Sequence, residues 1–99
     1  MTAYVLSEVA IRDEESAARY RLRAEVSIAK YGGRYLVRGG LIDVAEGDWP
    51  AQQRVVVVEF PSMQRAREWY ASPEYAEALA VRRDALERRL IFVEGVAAG

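Results

Sequence analysis

Two periodicities alternate along the chain. Ala3 to Ile11 (AYVLSEVAI) is β-rich and mostly apolar on both alternating faces, with Tyr4, Leu6, Glu8 and Ala10 on one side and Val5, Ser7, Val9 and Ile11 on the other. That suits a strand covered on both faces. The period then lengthens: Ala17, Tyr20, Ala24, Ile28 and Tyr31 recur at helical spacing. Asp13 offers an N-cap, Glu14 and Glu15 put negative charge in the first turn, and Gly32 and Gly33 supply a stop. The spacing therefore predicts a helix over Glu14 to Lys30. Arg34 to Arg38 (RYLVR) is extended again, and Gly39 and Gly40 read as a bulge or bend inside a longer strand that continues through Leu41 to Val44. Gly47, Asp48 and Pro50 then place a turn around Glu46 to Gln53. It leads into the most apolar run of the chain, RVVVVEF from Arg54, the expected central strand, with Glu59 set among valines. If Val44 faces Val56 across the turn, Glu59 lies near the Gly39–Gly40 bend with Arg38 close by.

At Pro61 the chain turns into a helix that Ser62 caps, with Ala66, Trp69 and Tyr70 on its inner face. Ser72 and Pro73 form a second start signal, an N-cap followed by an N1 proline, so the helix is expected to break there. A further helix follows from about Glu74 to Glu87, with Tyr75, Ala78, Leu79 and Leu86 on its apolar line. A last strand, Leu90 to Val93, precedes a small-residue tail, VAAG, expected to fray. The order β-α-β-β-α-β is the ferredoxin-like split arrangement, an α+β fold with an antiparallel sheet and its helices on one face. It is read as one domain, residues 1–99, with a core of about 3–95. Because the central strands are apolar on both sides, the face away from the helices would show water a large patch of valines. A second copy of the sheet packed against it removes that exposure, so a homodimer with a barrel-like interior is expected.

Composition narrows the chemistry. The chain has 99 residues, 52% of them hydrophobic, and a formal net charge of -1, so it carries no overall positive field and nucleic acid is not an expected partner. Neither cysteine nor histidine occurs, which removes disulfides, thiol and Ser-His nucleophiles, and thiolate or imidazole metal sites. A metal site would have to be all oxygen, and no carboxylate cluster has the loop spacing for one. No metal or cofactor is expected. The N-terminus lacks the basic start of a signal peptide, and no apolar run approaches the roughly 20 residues of a membrane span. The expectation is a soluble cytoplasmic protein without a membrane partner.

The candidate chemistry rests on a few side chains. Glu59 is either a general base facing a pocket between sheet and helices, or one half of a structural ion pair with Arg38 or Arg34. Arg34 and Arg38, read as sharing one strand face, either grip a carboxylate or enolate with their planar forks or balance Glu59 and Glu8. Trp69, Tyr70 and Tyr75 gather on the helical side with Tyr20 and Tyr31, as the wall of a ligand pocket or as core packing. Trp49, in the hairpin loop, is read as covering the dimer partner. Arg82, Arg83, Arg88 and Arg89, interleaved with Asp84 and Glu87, read as a solvated helix face. The paired glycines lack the lysine and helix start of a phosphate loop and read as turns.

The motifs KYGGRYLVRGG (Lys30 to Gly40), VVVVEFPS (Val55 to Ser62), REWYASPEYAEA (Arg67 to Ala78) and the final LIFVEG resemble the bacterial family of uncharacterised proteins known as domain of unknown function 1330. The resemblance runs from Tyr4 to Gly95. It implies a dimeric α+β barrel, the fold shared by muconolactone isomerases, cofactor-independent monooxygenases of polyketide pathways and haem-degrading oxygenases. It implies no reaction, because the fold hosts many chemistries. Two functions stay open. One is a non-catalytic dimer that binds a small acidic or aromatic ligand between sheet and helices through Arg38, Arg34, Tyr20, Trp69 and Tyr75, or serves only as a stable interaction module. The other is a cofactor-independent isomerase, cyclase or monooxygenase-like enzyme with Glu59 as base.

Overall fold

Each helix begins where a short polar side chain takes over a backbone donor that the first turn leaves free. In the computed structural model, which describes residues 1–97, the chain forms strand β1 (Ala3–Ile11) and helix α1 (Glu14–Lys30), then strands β2 (Arg34–Arg38) and β3 (Arg54–Phe60). Helices α2 (Met63–Tyr70) and α3 (Pro73–Ala85) and strand β4 (Leu86–Glu94) complete it. Asp13 accepts from Ser16 N at 3.0 Å, Ser62 from Arg65 N at 3.1 Å and Ser72 from Tyr75 N at 3.0 Å. Ser72 also donates to the Trp69 carbonyl at 2.7 Å, so one buried hydroxyl closes α2 and opens α3. The strands pair antiparallel in the order β2-β3-β1-β4, which puts β3 inside the sheet. This is the ferredoxin-like α+β arrangement expected from the element order. Of the tail expected to fray, residues 98 and 99 lie outside the described residues.

The helices cover one face. Val5, Val58 and Phe60 meet Ile28, Ala66, Trp69, Tyr75 and Ala78 there, all 4% exposed or less. Trp69 is the centre of this core, its ring 5.3 Å from Phe60 and 4.2 Å from Tyr75 between centroids, and its indole N–H donates to Ser27 Oγ at 3.0 Å. Tyr70, expected beside it on the inner face, is 39% exposed and packs edge-on against Phe92 at the margin. Gly33 is required by close approach: a Cβ there would lie 2.7 Å from both Ile28 Cγ2 and Phe60 Cε1.

Three boundaries differ from the pattern-based expectation. The second strand does not continue through Gly39 and Gly40 to Val44. Gly39 N donates to Val55 O at 2.9 Å and, at φ 69°, turns the chain off the sheet, so residues 40–53 have no strand to pair with. The irregularity lies earlier, between Tyr35 and Val37, and Arg38 rather than Val44 faces Val56. At the other end, α3 stops at Ala85 and β4 begins at Leu86, four residues before the expected strand. The run LERR has helix-forming composition, yet β1 supplies a full-length partner, from Ile11 opposite Leu86 to Ala3 opposite Glu94, and the ladder overrides local preference.

The uncovered face carries Leu6 of β1, Val55 and Val57 of β3, Val37 of β2, and Ile91 and Val93 of β4. Val37, Ile91 and Val93 are 40%, 56% and 40% exposed. Its charges are paired within the sheet: Arg89 donates to Glu8, and Arg34 Nε donates to Glu59 at 2.9 Å. The whole measures 37 × 36 × 16 Å, a two-layer slab open on one side.

Candidate functional site

Cross-strand partners share a face, so the register alone assembles one end of a site. Val9 of β1 stands opposite Arg54 on one side and Arg88 on the other, and Ser7 stands opposite Val56 and Leu90. Val56 in turn faces Arg38. Three arginines from three strands thus come up on the helix side of the sheet, around a floor of Val9, Ser7 and Val56. Helix α1 roofs them with Tyr20 and Arg21. The result is a cavity of about 110 Å³, open at the mouth. That is somewhat below the roughly 150 Å³ that accommodates the six carbons of benzene, so its enclosed part suits about four or five non-hydrogen atoms. Val5, Val58, Ile28 and Trp69 line its apolar wall. Its charged lining is Arg21, Arg38, Arg54 and Arg88, and no carboxylate is among the residues that line it.

At the inner end Arg88 Nη1 lies 2.5 Å from Tyr20 Oη and 2.9 Å from Tyr75 Oη, and the two phenol oxygens are 2.6 Å apart. Burial, joined by the neighbouring Tyr20, raises the Tyr75 hydroxyl far above the ordinary tyrosine range. Burial pulls the Arg88 guanidinium down, but the two phenols more than offset it, and its pKa is raised. Arg88 is therefore a fixed cation, half-sunk in an apolar wall. At the mouth Arg38 Nη2 donates to Glu25 Oε2 of α1 at 3.3 Å, and its guanidinium sits 4.2 Å from the centroid of the Tyr35 ring. Burial pushes the Tyr35 hydroxyl up to about 12.

Of the residues singled out from the sequence, the structure brings Arg38, Tyr20, Trp69 and Tyr75 to this cavity or its back wall and leaves Glu59 and Arg34 outside it. Glu59 pairs with Tyr4 and Arg34 across the strands and lies on the open face, on the opposite side of the sheet from the cavity. Its partner is Arg34, not Arg38. Arg34 and Arg38 do not share a face, because the bulge between Tyr35 and Val37 absorbs one residue and reverses the side-chain alternation. A carboxylate base at Glu59 thus has no access to the pocket it was expected to serve. Trp49, expected over a partner, lines a recess on the open face with Leu6, Val55 and Ile91, its indole donating to Gln53 O at 3.0 Å.

Arg88 and Arg54 are the cavity residues that the sequence pattern does not single out. The pattern puts Arg88 on a solvated helix face, whereas it stands in β4 with its head group on Tyr20 and Tyr75. The available signal was the alternation Leu86, Arg88, Leu90, Phe92, which places a lone arginine in an apolar row. Arg54 was visible only as the first residue of the valine run.

Among the described residues, no group of three or more acidic side chains could hold a metal ion, and no helix is long and apolar enough to cross a membrane.

The sequence matches the family described as Domain of unknown function (DUF1330) over residues 2–96. No curated protein matches it significantly. Among solved structures, a protein of unknown function from Rhodopseudomonas palustris superposes with a TM-score of 0.79 at 22% identity, covering 98% of this chain and 84% of that one. SnoaB, a cofactor-independent oxygenase from Streptomyces nogalater, gives 0.68 at 12% identity over 98% of this chain and 95% of its own. A dimeric protein of unknown function and ferredoxin-like fold from Bacteroides fragilis gives 0.57 at 13% identity, covering 95% and 96%. At such identities these likenesses concern the fold. The chain belongs to the DUF1330 family.

Proposed function

Taking that membership as the premise, we propose that this protein binds a small organic acid in the cavity between α1 and the sheet, and does so as a symmetric homodimer joined through its open sheet face. The observation that carries the reading is the lining itself: four arginines and no carboxylate around apolar walls. Such a surface holds an anionic head by forked hydrogen bonds and buries a short hydrocarbon or ring. Among the four, Arg38 already has Glu25 as a partner, whereas the half-buried Arg88 has only the neutral Tyr20 and Tyr75 hydroxyls, so an anionic ligand supplies charge that the lining lacks.

The dimer has separate support. Leu6, Val37, Val57, Ile91 and Val93 lie on one flat face whose charges already neutralise each other, so a second copy can be laid on it without stranding an ion. A projected face of four strands at about 4.8 Å and some seven residues at about 3.4 Å is roughly 450 Å². With side-chain relief this approaches the ~800 Å² per partner of a standard stable interface. The Bacteroides fragilis neighbour is described as dimeric. The alternative of a cofactor-independent enzyme draws on the fold shared with SnoaB, but no carboxylate lines the cavity to act as base. Binding is the better-supported reading.

Pentanoate and pentanamide match in size and shape but differ in head-group charge, the amide presenting N–H donors in place of one carboxylate oxygen. In a thermal-shift titration the acid should raise the Tm with concentration and the amide should not, since only a ligand bound to the folded state stabilises it. The double variant Arg38→Gln, Arg54→Gln should lose the response. Equal stabilisation by the amide would overturn the assignment of an acid.

A further inference from the structure

The hydrogen atoms at the inner end of the cavity can be counted. Arg88 Nη1 carries two N–H bonds and has two oxygens within reach, Tyr20 Oη and Tyr75 Oη, so it donates to both. The oxygens are 2.6 Å apart and need one hydrogen between them. Phenols are protonated at neutral pH, and burial holds Tyr75 more firmly so. Two arrangements remain. If Tyr20 donates to Tyr75, the Tyr75 hydrogen is left without an acceptor on a residue that is 0% exposed, which is a costly state for a donor. If Tyr75 donates to Tyr20, every group behind the wall is satisfied. The one free hydrogen then belongs to Tyr20, the member of the pair that lines the cavity.

Resting on the small-acid reading above, we infer that Tyr20 presents a free hydroxyl hydrogen to the cavity and that the ligand is a carbonyl acid, its carboxylate at the arginine-lined mouth and its carbonyl or enolate oxygen accepting from Tyr20. Accepting two bonds, one from a cation, polarises the Tyr20 O–H and strengthens it as a donor. The polar groups beside Tyr20 also favour an incoming lone pair over an incoming hydrogen. Arg88 only donates and the Tyr20 oxygen has already accepted twice, which leaves an alcohol hydrogen only the hydroxyls of Ser7 and Tyr35 among the lining side chains. Selection therefore runs in favour of an oxygen that only accepts.

The test compares 4-oxopentanoate, 4-hydroxypentanoate and pentanoate by calorimetric titration. The wild-type protein should bind the oxo acid about 3- to 10-fold more tightly than either of the others, the span expected of one neutral hydrogen bond. Tyr20→Phe should bring the oxo acid down to the affinity of pentanoate. Tyr75→Phe should keep the preference, because Tyr20 already points its hydrogen outward. Equal binding of all three acids by the wild type, survival of the preference in Tyr20→Phe, or a preference that arises only in Tyr75→Phe would each overturn the inference. Arg38→Gln with Arg54→Gln should weaken the three acids alike. If it does not, the carboxylate assignment at the mouth fails while the oxo-acid preference still decides the role of Tyr20. If none of the three binds, both fall together.

Discussion

Ile91→Asp is the substitution that most directly challenges the proposed pairing of sheets. Ile91 is 56% exposed at the middle of β4, beside Leu6 of β1 and pointing away from the helices. That exposure corresponds to ~100 Å² of mostly apolar surface, and burying it against a partner is worth about 2.5 kcal/mol at ~25 cal/mol/Å². Twofold symmetry counts the residue twice, so the pair contributes about 5 kcal/mol, and a carboxylate in the same place adds a desolvation cost. The dimer dissociation constant should rise by at least about 10³-fold. Sedimentation velocity across the micromolar range, with a thermal melt on each sample, separates dissociation from unfolding. The variant should sediment as a folded monomer where the wild type is a dimer. Leu22→Asp serves as the control: Leu22 is 67% exposed on the outer side of α1, and its loss should leave the dimer intact. A wild-type protein that sediments as a monomer at micromolar concentration, or an Ile91→Asp dimer of undiminished affinity, would refute the reasoning.

Two further outcomes follow from the packing and the charges. Gly33→Ala should destabilise the fold by about 1–3 kcal/mol, read as a lower denaturant midpoint at unchanged slope, because its methyl group collides with both Ile28 and the Phe60 ring. The Lys30–Glu74 bridge, which also takes the Tyr31 hydroxyl, should shape both ends of the stability–pH profile. The hydrogen bond from Lys30 lowers the Glu74 pKa, so its contribution is present above the ordinary carboxylate value and is lost as pH falls through the lowered one. The hydrogen bond to Glu74 raises the Lys30 pKa, so that contribution is present below 10.5 and is lost as pH rises through the raised value. Glu74→Gln should flatten both arms of a plot of Tm against pH, with less difference from wild type at high salt.

What could be read from the sequence was what local chemistry decides. The limits of β1 and α1 follow from a β-rich run, apolar on both faces, meeting a capped helical period at Asp13, and the break between α2 and α3 follows from Ser72 and Pro73. Tyr20, Trp69 and Tyr75 were found because aromatic side chains at helical spacing declare which face they occupy. What was illegible depends on partners distant in the chain. A single bulge in β2 decides whether Arg38 joins the helices or the open face, and neither Tyr35 nor Leu36 announces it. Glu59 drew attention as a charge among valines, yet its alternation with Val58 and Phe60 sets it behind the sheet, where Arg34 meets it. Arg88 was hidden by neighbours whose helical preference only the long ladder with β1 overrules.

Helix α3 passes into β4 with no connecting residue, and the Ala85 carbonyl at that junction accepts from the backbone N–H groups of both Arg12 and Asp13. The end of one helix, the start of another and the root of a strand are riveted at one atom, three residues from Arg88. The start of α1, which roofs the inner chamber, is thereby tied directly to the root of β4, which helps to floor it. Among the described residues, the far rim of the proposed binding cavity has no such tie, for there the chain leaves the sheet at Gly39 and does not rejoin it until Arg54.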